Sequence, residues 1–258
     1  MYDSAPDSPR RFSLGKPAGA ADFILERRHR LVRRHAPALG GVLLDYGCGN
    51  GAQTLRFRDD FASIIGVDVV PEFIAQFAAR LQDDPDTARV TPLHYDGGRL
   101  PLDDGAVDAI VSFEVLEHVT DEAASLADMW RVLRPGGWVA MTVPNRWWIF
   151  ETHGADLPLL PWNRVPLFSW LPKRLHDRWA RARIYRRREI VRLLEAAGFE
   201  ALDARYVTAP LDVLRWPPLR DLLRRTLFRA DVTAVPFQAT AILVIARKPA
   251  RTRPAPVA

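Results

Sequence analysis

From Val42 to Val143 short apolar runs alternate with segments whose apolar residues recur at helical spacing. The runs Val42-Leu43-Leu44, Ile64-Ile65-Gly66-Val67, Val90 to His94, Val107 to Phe113 and Trp138 to Val143 are nearly continuous in hydrophobicity. That is the pattern of strands buried on both faces. Between them lie predicted helices: Ala52 to Phe61, then one opened by Pro71 with Phe73, Ile74, Phe77, Ala78 and Leu81 on one face. A third is capped by Thr120, carries Asp121 and Glu122 at its positive end, turns Leu126, Met129, Trp130 and Leu133 inward, and stops at Pro135-Gly136-Gly137. Upstream, Ala20 to His35 predicts a helix with a partial apolar face from Phe23, Ile24, Leu31 and Val32. Such alternation predicts an α/β fold with a parallel sheet covered on both faces.

The rhythm breaks after Pro144. Residues 145–184 are rich in Trp, Pro and Arg and read as an insertion. The pattern returns with a helix from Arg187 to Ala197, ended by Gly198, and a strand near Ala201 to Val207. A second insertion occupies residues 210–235, and Ala239 to Ala246 closes the sheet. The expected organisation is a mobile segment at 1–19, one domain over 20–249 and a disordered Pro/Arg tail at 250–258.

At 258 residues, 48% hydrophobic and 26% charged, the chain is long enough to fold on its core without a staple. A single cysteine, Cys48, excludes an internal disulfide framework. No apolar run reaches the length of a membrane span, and Met1 to Ala20 lacks the apolar core of a signal peptide. The expected location is therefore cytoplasmic, with peripheral membrane contact left open. The net charge of +5 is uneven: Arg164 to Arg192 holds ten Lys and Arg against Asp177 and Glu189, so the rest is slightly acidic. Any anionic partner is expected at that basic segment first.

Chemistry concentrates after the first strand. In Asp45-Tyr46-Gly47-Cys48-Gly49-Asn50-Gly51 an acid precedes a Gly-x-Gly-x-Gly turn, which lets backbone approach a ligand closely. Asp68 follows the second strand, where an acid accepts bonds from ribose hydroxyls. Cys48 reads as a small buried filler.

These blocks resemble the class I S-adenosylmethionine-dependent methyltransferases, in the ubiquinone and menaquinone methylase branch (methyltransferase type 11). The further blocks are Gly66-Val67-Asp68, Asp96-Gly97-Gly98-Arg99-Leu100-Pro101-Leu102, Val107 to His118, and Leu133-Arg134-Pro135-Gly136-Gly137. The resemblance implies a doubly wound, seven-stranded Rossmann-like sheet with its last strand antiparallel, plus helical or irregular lid insertions. It implies S-adenosylmethionine as cofactor. Gly47, Gly49 and Gly51 would pass the methionyl part, with Asp45 accepting from its amine. Asp68 would take the ribose, Val69 would pack on adenine, Asp96 with Gly97 would meet its amino group, and Phe113 would line the methyl-transfer side.

Glu114, Glu117 and His118 form a Glu-x-x-Glu-His cluster. Similar clusters bind a divalent metal in some polyprenyl-catechol and small-RNA methyltransferases, but metal-free relatives carry the same letters. Related sequences also often place a histidine before the late tyrosine and helix, where this chain has Arg181 and Arg183. No metal is expected here, and His118 is expected simply to pack. The first insertion leaves the carboxyl end of the fifth strand, so Asn145, Glu151 and His153 are the candidate catalytic residues, with His153 as general base among Trp147, Trp148 and Phe150.

The segments Leu159 to Arg174 and Leu211 to Arg229 interleave Trp, Phe and Leu with Arg. They read as a lid over a small-molecule or lipid-linked acceptor, compatible with peripheral contact on an anionic membrane. Leu219, Leu222, Leu223 and Leu227 are expected on one helical face, with Arg220, Arg224, Arg225 and Arg229 mostly off it. No RNA-binding module is recognisable, which disfavours nucleic acid. The expected function is methyl transfer to oxygen or carbon of that acceptor. RNA methylation and cofactor binding without turnover are the alternatives.

Overall fold

A computed structural model describes residues 23–82, 87–151, 153–156, 166–211, 214 and 216–250. The segment at 1–19, the tail from 251 onward and Leu159 to Val165 of the first insertion lie outside the described residues. The strands are β1 (Val42–Tyr46), β2 (Ser63–Asp68), β3 (Val90–His94), β4 (Val107–Phe113), β5 (Leu133–Pro144), β6 (Glu200–Thr208), β7 (Val232–Thr233) and β8 (Ala239–Arg247). The helices are α1 (Phe23–His35), α2 (Pro71–Gln82), α3 (Glu122–Val132), α4 (Lys173–Trp179), α5 (Arg187–Ala196) and α6 (Pro217–Arg225).

One sheet runs β3-β2-β1-β4-β5-β8-β6-β7. The pairs from β3 through β5 are parallel, while β8 is antiparallel to both β5 and β6. This is the Rossmann-like arrangement expected, with one strand more. The additional strand, β7, comes from the second insertion, whose Val232 and Thr233 pair with Val207 and Tyr206 at the free edge of β6. Strand alternation splits the core between two faces. Leu44, Ile110, Val139 and Val244 join Met129 and Ile190 on one face. Leu43, Val111, Ala140 and Leu243 join Leu31, Val32 and Phe77 on the other. Helices on both faces keep the parallel strands dry.

Three local readings change. The segment expected as a helix from Ala52 tightens to a 3-10 turn at Thr54–Phe57, because Thr54 Oγ1 donates to Asp45 and the Gln53 amide donates to the Leu25 carbonyl. Asp121, not Thr120, caps α3, its carboxylate accepting from the Ala124 N–H at 3.0 Å. In α1 the inward face is Leu25, Leu31 and Val32, with Arg27 also buried, while Phe23 is exposed and its ring receives the guanidinium groups of Arg27, Arg30 and Arg224.

Several basic side chains of the stretch at 164–192 are already paired within the chain. Arg181 pairs with Asp156, Arg183 with Glu122, Lys173 with Asp177, and Arg186 caps α5 through its backbone while its guanidinium sits over Trp147. This stretch is a poorer anion surface than its composition suggested. Among the described residues no helix is long and apolar enough to cross a membrane.

Candidate functional site

The carboxyl ends of β1, β2, β3 and β4 meet at one edge, where a sheet of this kind leaves a crevice for ligand. At the end of β1 the chain enters the glycine turn with Gly47 and Cys48 N–H groups both donating to the Val67 carbonyl, at 2.8 and 3.0 Å. Gly47 (φ 78°) and Gly51 (φ 77°) are in the left-handed region, and a Cβ would lie 2.4 Å from Val115 or 2.0 Å from Phe77. Conformation and space both require glycine there.

Asp68, buried at the end of β2, accepts from Gly49 N–H at 2.8 Å and Val70 N–H at 2.9 Å. It thereby ties the glycine turn to the second strand. Burial raises its pKa and these backbone bonds oppose the rise. Next to it, a Cβ on Gly97 would touch Val69 at 3.4 Å, so the turn after β3 lies against Val69. Asp96 is exposed there and closes its own turn by accepting from Gly98 N–H at 2.9 Å. Asp45 is buried, accepts from Thr54 Oγ1 at 2.6 Å, and is pushed up to about 7 chiefly by burial. Burial also pushes the Cys48 thiol up, which suits an inert filler.

The structure places Phe113 at the end of β4 and turns the following Glu114 to φ 57°. A non-glycine residue in that region carries strain of about 1–3 kcal/mol, and such strain gathers at functional sites. From that turn Glu114, Glu117 and His118 gather around His153. The His153 Nε2 is 3.4 Å from Glu117 Oε1 and 3.9 Å from Glu114 Oε2, and its ring meets that of His118 edge-on at 5.0 Å. Glu117 is 0% exposed, and neither of its oxygens accepts a hydrogen bond. Burial and the Glu114 charge raise its pKa well above the usual carboxylate range. Glu117, His118 and His153 each offer one ligand atom, all within 4.8 Å of one another.

Of the three candidate catalytic residues, only His153 joins this cluster. Glu151 is diverted into the insertion's own core. Its carboxylate accepts from Ser169 Oγ (3.3 Å) and the His153 backbone N–H (3.1 Å) and faces His176 Nε2 at 3.1 Å. Asn145 is a connector, its amide donating to the carbonyls of Pro236 and Ala239 at 2.8 Å each and its oxygen accepting from Trp147 N–H. Both groups are used in holding the insertion in place.

Arg28 went unnoticed in the sequence. On α1, it lies 3.5 Å from Glu114 with its guanidinium 5.4 Å from the Phe113 ring centroid, and burial lowers its pKa. The charges of Glu114, Glu117 and Asp45 counter that shift, so Arg28 sits between the glycine turn and the histidine cluster. Its spacing on an Arg-rich helix carries no signal that separates it from Arg27 or Arg30.

Residues 44–141 match the methyltransferase domain family. The chain is 34% identical over 189 residues to a "probable S-adenosylmethionine-dependent methyltransferase" of Mycolicibacterium smegmatis, covering 72% of this chain and 63% of the relative. It is 27% identical over 179 residues to the ubiquinone biosynthesis O-methyltransferase of Thiobacillus denitrificans, covering 67% of this chain and 70% of that one. Among solved structures it is similar to an S-adenosylmethionine-dependent methyltransferase from Mesorhizobium loti, with a TM-score of 0.58 at 20% identity, covering 86% of this chain and 99% of that one. The chain spans about half to two thirds of the length of the mycobacterial relatives it matches.

Proposed function

Since the chain belongs to the class I S-adenosylmethionine-dependent methyltransferases, we propose that it methylates an oxygen of a small-molecule or lipid-linked acceptor. The observation that carries the oxygen is His153, held 3.4 Å from Glu117 in the cluster that follows β4. An oxygen acceptor must lose a proton, and an imidazole backed by a carboxylate is suited to take it. The ubiquinone-pathway O-methyltransferase among the relatives supports the same atom.

The residues present fit the cofactor. Asp45 is a buried carboxylate whose charge is disfavoured until a cation arrives, and Asp68 presents itself beside a turn that only glycines can form. When bound, S-adenosylmethionine supplies a methyl group already activated on its sulfonium. Asp45 would hold the amine and Arg28 the carboxylate of its methionyl part. Asp68 would take both ribose hydroxyls, while Val69, Asp96 and Gly97 would enclose the adenine. His153 would receive the acceptor's proton at Nδ1, with the carboxyl groups of Glu117 and Glu114 facing its Nε2 and holding the ring in orientation. Holding donor and acceptor in line then supplies most of the rate.

The test is labelled S-adenosylmethionine with whole-cell extract. Label in the organic-solvent fraction as an O-methyl group supports the reading. Label in RNA overturns it in favour of RNA methylation, and absence of transfer despite cofactor binding overturns it in favour of a non-catalytic binding protein.

Asp45 also sets an expected pH dependence. Its folded pKa is near 7, raised from 3.8, so the free protein keeps a proton there that binding of an ammonium must expel. The raised pKa means that the group's contribution to free-protein stability declines as pH rises through this window. Cofactor affinity moves the other way, rising up to about tenfold per pH unit below 7 and levelling above it. Asp45→Asn is expected to flatten the profile. Titration calorimetry from pH 5 to 7, at about one-unit intervals, measures it.

A second reading has one observation in its favour. A fully buried Glu117 that accepts no hydrogen bond, with two histidines in reach, is also a donor set for Mg²⁺ or Mn²⁺ on an acceptor with adjacent oxygens. Mn²⁺ titration followed by electron paramagnetic resonance decides between them. Stoichiometric binding that Glu117→Gln removes supports the cation, and free Mn²⁺ throughout leaves His153 as the base.

A further inference from the structure

We propose that the surface around α6 docks the protein on an anionic lipid bilayer. The helix buries none of its nine residues. Trp216 before it, Leu222 within it and Leu227 after it are 65%, 58% and 65% exposed. Arg225 and Arg229 are exposed beside them, and Arg220 is partly so. The acidic residues nearby do not cancel this charge. Asp221 lies 3.4 Å from Arg220, and Asp231 is already held by Arg27 and Arg30.

The leucines do not form the single face expected from the sequence. Leu223 and Phe228 turn inward onto the cluster of Trp148, Ala209 and Leu211, and Arg224 is drawn in, its Nε donating to the Pro210 carbonyl at 2.7 Å. The helix ends at Arg225, which sets Leu227 on its own beyond the last turn. Apolar side chains therefore project singly, each with arginine close by. A protein interface would favour a contiguous dry centre. Separate apolar anchors among cationic side chains match the headgroup layer, where Trp and Leu enter the acyl boundary and Arg meets phosphate.

The position links this surface to the site. Leu223 and Phe228 pack on the same cluster around Trp148 as Ile149 and Phe150, which belong to the stretch that leads from β5 to His153. A bilayer bound at α6 would lie along the wall of the acceptor side. That consequence rests on the proposed function, whereas binding itself does not.

The experiment is co-sedimentation of the full chain, without cofactor or acceptor, with phosphatidylcholine vesicles and with vesicles containing phosphatidylglycerol. Binding is expected to the anionic vesicles at about 0.1 M salt and to fade toward about 1 M. Arg225→Gln with Arg229→Gln is expected to weaken it about 30-fold, from the usual increment per basic side chain at an anionic surface. Leu222→Ser with Leu227→Ser is expected to reduce it on its own, with thermal unfolding unchanged because both side chains are exposed. Protein left in the supernatant at low salt overturns the proposal, as does equal binding to neutral vesicles or indifference to both double variants. Concentration-dependent dimers abolished by the leucine variant, without vesicle binding, would assign the surface to a second copy of the chain instead. If methyl transfer failed and sedimentation held, only the proposed function would fall.

Discussion

Asp68→Ala is expected to weaken S-adenosylmethionine binding by at least about 100-fold in titration calorimetry. Two effects add. The proposed ribose contacts are hydrogen bonds to a charged acceptor, worth about 1.5–3 kcal/mol each. The same carboxylate also accepts from the N–H groups of Gly49 and Val70 at 2.8 and 2.9 Å, so its removal releases the glycine turn that must approach the ligand. Asp68→Asn retains one acceptor oxygen and is expected to lose less. Binding by Asp68→Ala within about threefold of the natural chain would mean that the ribose is held elsewhere. Circular dichroism of the variant separates a lost ligand contact from a lost fold.

His153→Ala is expected to lower turnover by about 10²–10⁴ while leaving cofactor affinity unchanged. Its imidazole lies with Glu117 and Glu114, whereas Asp68 ties down the glycine turn. Added imidazole should restore part of the rate if the lost group is a base, because a free base can enter the space. Glu117→Gln should slow the same step, since the carboxyl group that faces His153 Nε2 would be replaced by an amide. Turnover of His153→Ala within about twofold of the natural chain would remove His153 from the chemistry.

Glu151→Ala would act differently. Its carboxylate joins Ser169, His176 and the His153 backbone inside the insertion. Any loss of activity should therefore come with a lowered melting temperature, which His153→Ala should not show. The contrast between Glu151 and His153, two residues apart, is set by where the insertion folds back.

The fold around the glycine turn was legible because its information is local. A strand, a glycine turn and an acid one strand later are consecutive in the chain, and the parallel sheet brings successive strand ends together by its topology alone. Hydrophobic period, helix stops and the need for glycine at positive φ are likewise properties of short windows. Where a window misled, a neighbour outside it had intervened. Thr54 and Gln53 are drawn to Asp45 and Leu25, which tightens the expected helix into a single turn.

The histidine cluster required tertiary structure. Glu117 and His153 sit on opposite sides of α3 and β5 in the chain, and nothing in their spacing says that they meet. Nor did spacing tell Glu151 from His153, or single out Arg28 among the arginines of α1. Those assignments depend on which way an insertion returns and which face a helix buries, and both are decided by contacts far apart in sequence. The chain by itself determined the α/β fold and the strand ends that face cofactor. Long-range packing alone decided which histidine, which acid and which arginine gather in one cluster, because burial leaves room there for only some of the side chains that the sequence offered.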